Sequence, residues 1–348
     1  MCADSKKKLA NLLDRPFFPW KNVLVGFSVG QFVLEGLLSL RQYKVLQRTK
    51  PPKVLEGEVS QEVFDKSQVR VFFEARGKKK KKKKRANLSL QTYARAKAKF
   101  GLAAGLYAQA QNLLFVYGDL LPKMWALSGG LLARYFPSRF QGEISQTLVF
   151  LFGFNIVSTL LSLPVSYYAT FVLEQKFGFN KQTPKLWVSD MIKGQLLGIA
   201  LGTPIISAVL KIIQKTGNSF FYYLWLFGMF VQIFAITIYP ILILPLFNKL
   251  SPLPAGELKT GVENLAAGLS FPLSDLYVID GSKRSAHSNA YFYGLPWKKH
   301  IVLYDTLIEQ SEPDEVVAVL SHELGHWSLG HTTKLLAIAQ VCRASSAF

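Results

Sequence analysis

Cysteine is nearly absent from the 348 residues: only Cys2 and Cys342 occur, near opposite ends, which excludes a disulfide framework. The first twenty residues lack an uninterrupted apolar core and carry Lys6, Lys7, Lys8, Asp14 and Arg15, so they do not read as a cleaved signal peptide. Aromatic residues are missing from the run Lys78–Arg85, "KKKKKKKR", which therefore offers no platform for stacking bases, and no nucleic-acid partner is expected. Acidic residues are missing altogether after Glu323. The net charge of +19 is badly distributed, because 13 Lys and Arg fall between Arg70 and Lys99 against the single acid Glu74. The basicity thus belongs to one inserted segment, residues 70–100, rather than to a whole binding surface. A lysine run of this kind suits anionic lipid, since each cation near a charged membrane surface contributes about 1 kcal/mol. It equally suits a solvated, disordered stretch in a loop.

What the chain has in abundance is apolar sequence. Half of the residues are hydrophobic, 13% are aromatic, and the mean hydropathy is +0.20. About 20 apolar residues in a helix cross the hydrocarbon core of a bilayer. Five segments approach that length: Val23–Leu40, Gly101–Leu121, Thr147–Leu173, Met191–Ile213 and Phe220–Phe247. The second is the weakest, with Gln109, Gln111, Asn112 and Asp119 inside it, and Pro204 is expected to kink the fourth. Glu35, Asp119 and the glutamines, being costly to expose to lipid, point to a polar interior between helices. The expected fold class is a membrane α-helical bundle, about five spans over residues 1–250, followed by a small α+β domain over 251–348.

That second domain is legible in outline. Gly256–Ser270 has the apolar stripe of an amphipathic helix, and Leu276–Ile279 is a short strand. Asn289–Tyr293 and Ile301–Tyr304 flank Gly294-Leu295-Pro296-Trp297 as a hairpin. Ser311, with Asp314 three residues on and Pro313 between them, resembles a capped helix start. From there one long helix is expected to run through Val316, Leu320 and His326 towards Leu336.

On that helix lies Ser321-His322-Glu323-Leu324-Gly325-His326-Trp327, "SHELGHW". Residues four apart share a helix face, so His322 and His326 can present imidazole to one ion. Glu323 is rotated about 100° from His322, near the ion but not on it. The spacing is that of a zinc hydrolase, in which zinc activates water and Glu323 acts as general base. Five letters with three fixed also recur by chance, so the motif alone identifies no family.

Four blocks in this order add that identity: "FVLEQKFGFNKQT" at Phe171–Thr183, "SPLPAGELK" at Ser251–Lys259, "GSKRSAHSNAYFYG" at Gly281–Gly294, and "SHELGHWSLGH" at Ser321–His331. With them the chain resembles the CAAX prenyl protease 1 family of membrane zinc endopeptidases, over nearly its whole length apart from the lysine segment and the last few residues. The resemblance implies removal of the C-terminal tripeptide from prenylated CaaX proteins, residence in the endoplasmic reticulum membrane, and seven spans around a water-filled chamber. It implies Zn2+ as cofactor, His322 and His326 as ligands, and Glu323 as base. It further implies that Asn289, Ala290, Tyr291, Phe292 and Tyr293 form the edge strand along which substrate lies. Ordinary hairpin packing by Tyr291 and Tyr293 accounts for that strand equally well.

The resemblance also exposes a gap. The family's third zinc ligand is a glutamate on a later helix, and no acidic residue follows Glu323 here. His331 lies nine residues from His322, about 180° round a continuous helix, and so is expected to point the wrong way. Glu315 is on the right face but roughly 10 Å back along the axis. His287 and His300, on the strand segments, are not required to approach. The expectation is a chain incomplete after the HExxH helix, lacking the family's last two spans. A truncated, non-catalytic membrane protein that binds prenylated tails or the full-length enzyme is the alternative. A transporter would explain the prolines within spans but leaves the HExxH helix without a role.

Overall fold

The computed structural model describes residues 19–47, 80–295 and 297–347. The reading of the extreme N-terminus, and the part of the basic segment before Lys80, lie outside the described residues. The chain divides into two compact units, Met1–Gln68 with Ala86–Phe154 and Val69–Arg85 with Asn155–Phe348.

The first unit holds α1 (Trp20–Val45), a single 26-residue helix, most of α2 (Lys80–Tyr117), from Ala86 onward, and α3 (Leu120–Tyr135). The backbone from Lys80 onward is helical, so the basic segment leads straight into α2 instead of forming a loop. The expected span Gly101–Leu121 is corrected at its end: the helix stops at Tyr117, and Asp119 turns the chain with φ 52° before α3. Several polar residues within the unit pair with one another. Ser28 Oγ donates to Gln109 Oε1 at 3.2 Å, Asn112 Nδ2 donates to Ser28 Oγ, and Gln31 Nε2 donates to Glu35 Oε1 at 2.8 Å. Asp119 pairs with Lys21. These are the groups that resist contact with lipid, and pairing lowers the cost of placing them among apolar helices.

α4 (Glu143–Tyr167) continues through a π-helical turn to Glu174. α5 (Pro184–Thr216) runs on through Pro204 without a break; its start is capped by Thr183, whose hydroxyl accepts from Leu186 N–H. α6 (Phe220–Ile238) passes through a second π-helical turn into α7 (Leu244–Phe247). Among the described residues four helical stretches are long and apolar enough to cross a membrane: Trp20–Val45, Glu143–Glu174, Pro184–Thr216 and Phe220–Phe247. Their apolar side chains are largely uncovered by protein; Phe27 is 76% exposed and Phe230 63%. Exposure on that scale is unfavourable in water and natural in lipid.

After α7 the chain builds a four-stranded sheet from β1 (Leu250–Pro252), β2 (Leu273–Ile279), β3 (Ala290–Leu295) and β4 (Lys298–Tyr304), in the spatial order β1-β2-β4-β3. β2 and β4 are parallel; the other two pairings are antiparallel, with Tyr291 opposite Val302 and Phe292 opposite Ile301. Alternation along the strands gives the sheet two buried faces. Leu276, Ala290, Ile301 and Leu303 meet Val262 and Ala266 of α8 (Glu257–Gly268) and Val316, Leu320 and Leu324 of α10 (Pro313–Ser328). On the other face, Ile279 and Val302 pack with Leu244 of α7 and with Tyr277, Tyr291, Tyr293 and Tyr304. A short helix, α9 (Asp305–Gln310), links β4 to α10.

Two expectations shift by a residue. Asn289 is not in β3; it stands just before it, and its carbonyl accepts from Tyr304 N–H at 3.1 Å. The cap of α10 is Glu312, not Ser311, paired with Glu315 rather than Asp314 in a reciprocal capping box. A third expectation fails outright. The helix does not run to Leu336: α10 ends at Ser328, and α11 (His331–Ala347) begins after Leu329 and Gly330.

Candidate metal centre and active site

α10 positions the HExxH residues by burying the opposite face. Val316, Leu320 and Leu324, four residues apart, are all but inaccessible against the sheet. Trp327 locks the end of the helix: its ring meets Phe271 edge-on at 4.9 Å, and Phe271 meets Phe292 of β3 at 5.8 Å. With that face fixed, His322 and His326 emerge on the exposed side, and Glu323 is half-buried beside them.

The two imidazoles stand nearly perpendicular, at 84°, and their Nε2 atoms converge to 3.2 Å. Zinc–nitrogen bonds of about 2.0–2.1 Å at a tetrahedral angle separate neighbouring ligand atoms by about 3.3–3.4 Å. The pair therefore fits two positions of one tetrahedral shell. Among the described residues, no group of three His, Cys, Asp or Glu side chains is placed to hold a metal ion. Glu315 is engaged in the capping box, with its carboxylate accepting from Glu312 N–H.

His331 does not point away. The helix that would have carried it to the far side has ended, and Gly330 turns the chain at φ +65°, a conformation that a residue with a Cβ adopts only with strain. His331 returns towards the site, with its Nδ1 2.7 Å from His326 Nδ1. That contact lies across the His326 ring from Nε2, so His331 meets the outer edge of the ring. Spacing alone missed it because it assumed one helix; the signal was Gly330, a common residue just past a helix end.

The remaining histidines are engaged elsewhere. His300 lies 3.1 Å from Asp275 and packs against the rings of Tyr277 and Tyr293, on the sheet face away from α10. His287 stacks on Phe179 at 4.8 Å and approaches Glu174 at 3.7 Å.

β3 pairs with β4 alone among the described strands. The bond from Tyr304 N–H to the Asn289 carbonyl sets the alternation, so main-chain groups of Ala290, Phe292 and Gly294 face the unpaired edge. Phe292 points its side chain towards α10; Tyr291 and Tyr293 point theirs into the aromatic cluster under Leu244. Burial pushes the phenols of Tyr291, Tyr293 and Tyr304 above their ordinary range, which keeps them neutral.

The loop before β3 is anchored by two of the sequence blocks. Lys181 N–H donates to the Arg284 carbonyl at 3.1 Å and Ala286 N–H to the Phe179 carbonyl at 3.0 Å. Arg284 also reaches Asp190 on α5 with a two-pronged bond of 2.8 and 3.0 Å, and donates to the Phe247 carbonyl at 2.7 Å. Donating to the Asp190 carboxylate raises the pKa of Arg284, against the opposing effect of burial.

Comparison with known proteins agrees with this architecture. Residues 79–249 match the CAAX prenyl protease N-terminal family, described as five membrane helices, and residues 252–348 match peptidase family M48. The chain is 45% identical to CAAX prenyl protease 1 of Saccharomyces cerevisiae, over 96% of this chain and 69% of that protein. It is 36% identical to the CAAX prenyl protease 1 homolog of Homo sapiens, over 90% of this chain and 69% of that one. The crystal structure of S. mikatae Ste24p superposes with a TM-score of 0.80 at 44% identity, covering 95% of this chain and 72% of that one. This chain thus spans about 70% of the length of these relatives. Sequence kinship, membrane helices and the HExxH helix coincide: the chain belongs to the CAAX prenyl protease 1 family, membrane metallopeptidases of peptidase family M48.

Proposed function

We propose that the protein is a zinc metalloendopeptidase that removes the C-terminal tripeptide from prenylated CaaX proteins. Residues 1–250 would form its membrane part and 251–348 its catalytic part, in the endoplasmic reticulum membrane. The observation that carries the reading is the 3.2 Å convergence of His322 and His326 Nε2 on one helix face, with Glu323 between them in sequence. The relatives' name, CAAX prenyl protease 1, supports the substrate class.

His322 and His326 hold the ion. Zinc, when bound, supplies Lewis acidity that polarises a peptide carbonyl and makes water easier to deprotonate. Glu323 takes the proton from the attacking water and passes it to the leaving amine. The substrate's extended tail lies along β3, hydrogen-bonded to main-chain groups of Ala290 and Phe292, while Asn289 fixes the strand's start and Tyr291 and Tyr293 brace it from behind. Anionic lipid headgroups are the proposed partners of Lys78–Arg85.

The test is release of tripeptide from a farnesylated CaaX peptide by membranes containing the full chain, read by mass spectrometry alongside bound zinc. Glu323→Gln is expected to abolish release while keeping zinc, and His322→Ala and His326→Ala to lose both. Substantial cleavage by Glu323→Gln would remove Glu323 from the role of base. Release by the unaltered chain no greater than by Glu323→Gln would overturn the proposed reaction.

A further inference from the structure

We propose that His331 is a positioning residue for the metal site: its Nδ1 accepts the Nδ1–H of His326 and so fixes the tautomer and tilt of that ring. The proposal rests on the zinc reading above. An imidazole that binds a metal through Nε2 carries its proton on Nδ1 and needs an acceptor there. That acceptor is normally a carboxylate, carbonyl or water. Here the atom standing 2.7 Å from His326 Nδ1 is Nδ1 of His331. His326 Nε2 meanwhile faces His322 Nε2 at 3.2 Å, so the two edges of the ring are divided between a partner on one side and the metal position on the other.

For His331 to accept, its own proton must sit on Nε2. The fold holds the pair in place by a short stop in the helix. Leu329 N–H bonds to the Gly325 carbonyl and Gly330 N–H to the Trp327 carbonyl, closing α10; Lys334 N–H then bonds to the Gly330 carbonyl, opening α11. The rings of His326 and His331 are 5.0 Å apart and inclined at 54°. A continuous helix would have put the two imidazoles about 140° apart round the axis.

Three variants of the full chain in detergent test this, with zinc affinity measured by chelator competition. His331→Phe keeps a ring but removes the acceptor and is expected to weaken zinc binding about 10- to 100-fold. His331→Asn places Oδ1 where Nδ1 was and is expected to remain within about three-fold of the unaltered chain, given the same dependence on the outer hydrogen bond. His322→Ala reports on the underlying site. If the unaltered chain binds zinc no better than His322→Ala, the zinc reading itself fails. If binding depends on His322 but is unchanged in His331→Phe, or falls equally in His331→Phe and His331→Asn, only the positioning role fails. X-ray absorption showing His331 inside the zinc shell would also overturn it.

Discussion

Replacing Asp190 or Arg284 by alanine should loosen the protein far more than the loss of an ordinary surface ion pair. Arg284 donates to both carboxylate oxygens of Asp190, at 2.8 and 3.0 Å, and to the Phe247 carbonyl. The side chains of the pair are only 22% and 17% exposed, so water screens them poorly. Removing one partner leaves a largely buried charge without its counter-ion, which typically costs about 3–5 kcal/mol. Gln182 donates to the same carboxylate at 3.2 Å, so Asp190 without Arg284 keeps one neutral bond and the lower end of that range applies.

For a unit of roughly 200 residues, 3 kcal/mol corresponds to a drop of about 6–12 °C in melting temperature. The assay is thermal unfolding in detergent for both single variants and the double. The double variant should cost about as much as either single one, a coupling of about 2–3 kcal/mol, because each substitution removes the same interaction. Arg284→Lys should rescue little, since an ammonium cannot reproduce the planar two-pronged bond. Single variants melting within about 1 °C of the unaltered chain would refute the reasoning, as would losses that add in the double.

Leu324, between the two proposed ligands His322 and His326 in sequence and fully buried, should cost about 3–5 kcal/mol as Leu324→Ala and weaken zinc binding with it, measured by melting and chelator competition. Gly330→Ala should cost about 1–2 kcal/mol through its left-handed backbone, and Gly330→Asn less; preserved zinc affinity in Gly330→Ala would show that the turn does not hold His331 in place. Burial raises the carboxyl pKa of Asp280, but Lys283 and the Lys249 N–H outweigh it and hold the pKa below the ordinary carboxylate value. A depressed folded-state pKa contributes stability that is complete above about pH 5 and is lost as the pH falls below about 4. Asp280→Asn should therefore flatten the acid limb of a melting-temperature profile and lower stability near neutrality.

The fold was legible where one physical requirement dominated. Spans such as Phe220–Phe247 announce themselves because crossing a bilayer demands length and apolarity at once. The hairpin was legible from its turn residues, and α8 from its stripe. Gly101–Leu121 is broken where mean apolarity does not show it: α2 stops at Tyr117, and Asp119 turns the chain in the left-handed region at φ 52° before α3. The helix start at 312 slipped by a residue because Ser311 and Glu312 are both followed, three positions on, by an acid. Sequence ranks such caps by residue type, whereas the direction of the entering chain decides between them. The Asp190–Arg284 pair spans 94 positions, and no local pattern couples residues that far apart.

The proposed metal site shows where periodicity misleads. His322, Glu323 and His326 were readable because their relation is confined to one helix turn, within which the α-helical rotation is rigid. His331 was placed on the wrong face by the same rotation carried three residues too far. A single glycine at Gly330 changes the outcome. Without a Cβ it adopts φ +65°, the helix ends at Ser328, and an imidazole bound for the far side returns to within 2.7 Å of Nδ1 of His326. Extending a helical wheel is therefore sound only up to the first residue able to leave the helix cheaply. In a metal-binding helix, the residues just beyond that point are the ones free to fold back onto the ligands.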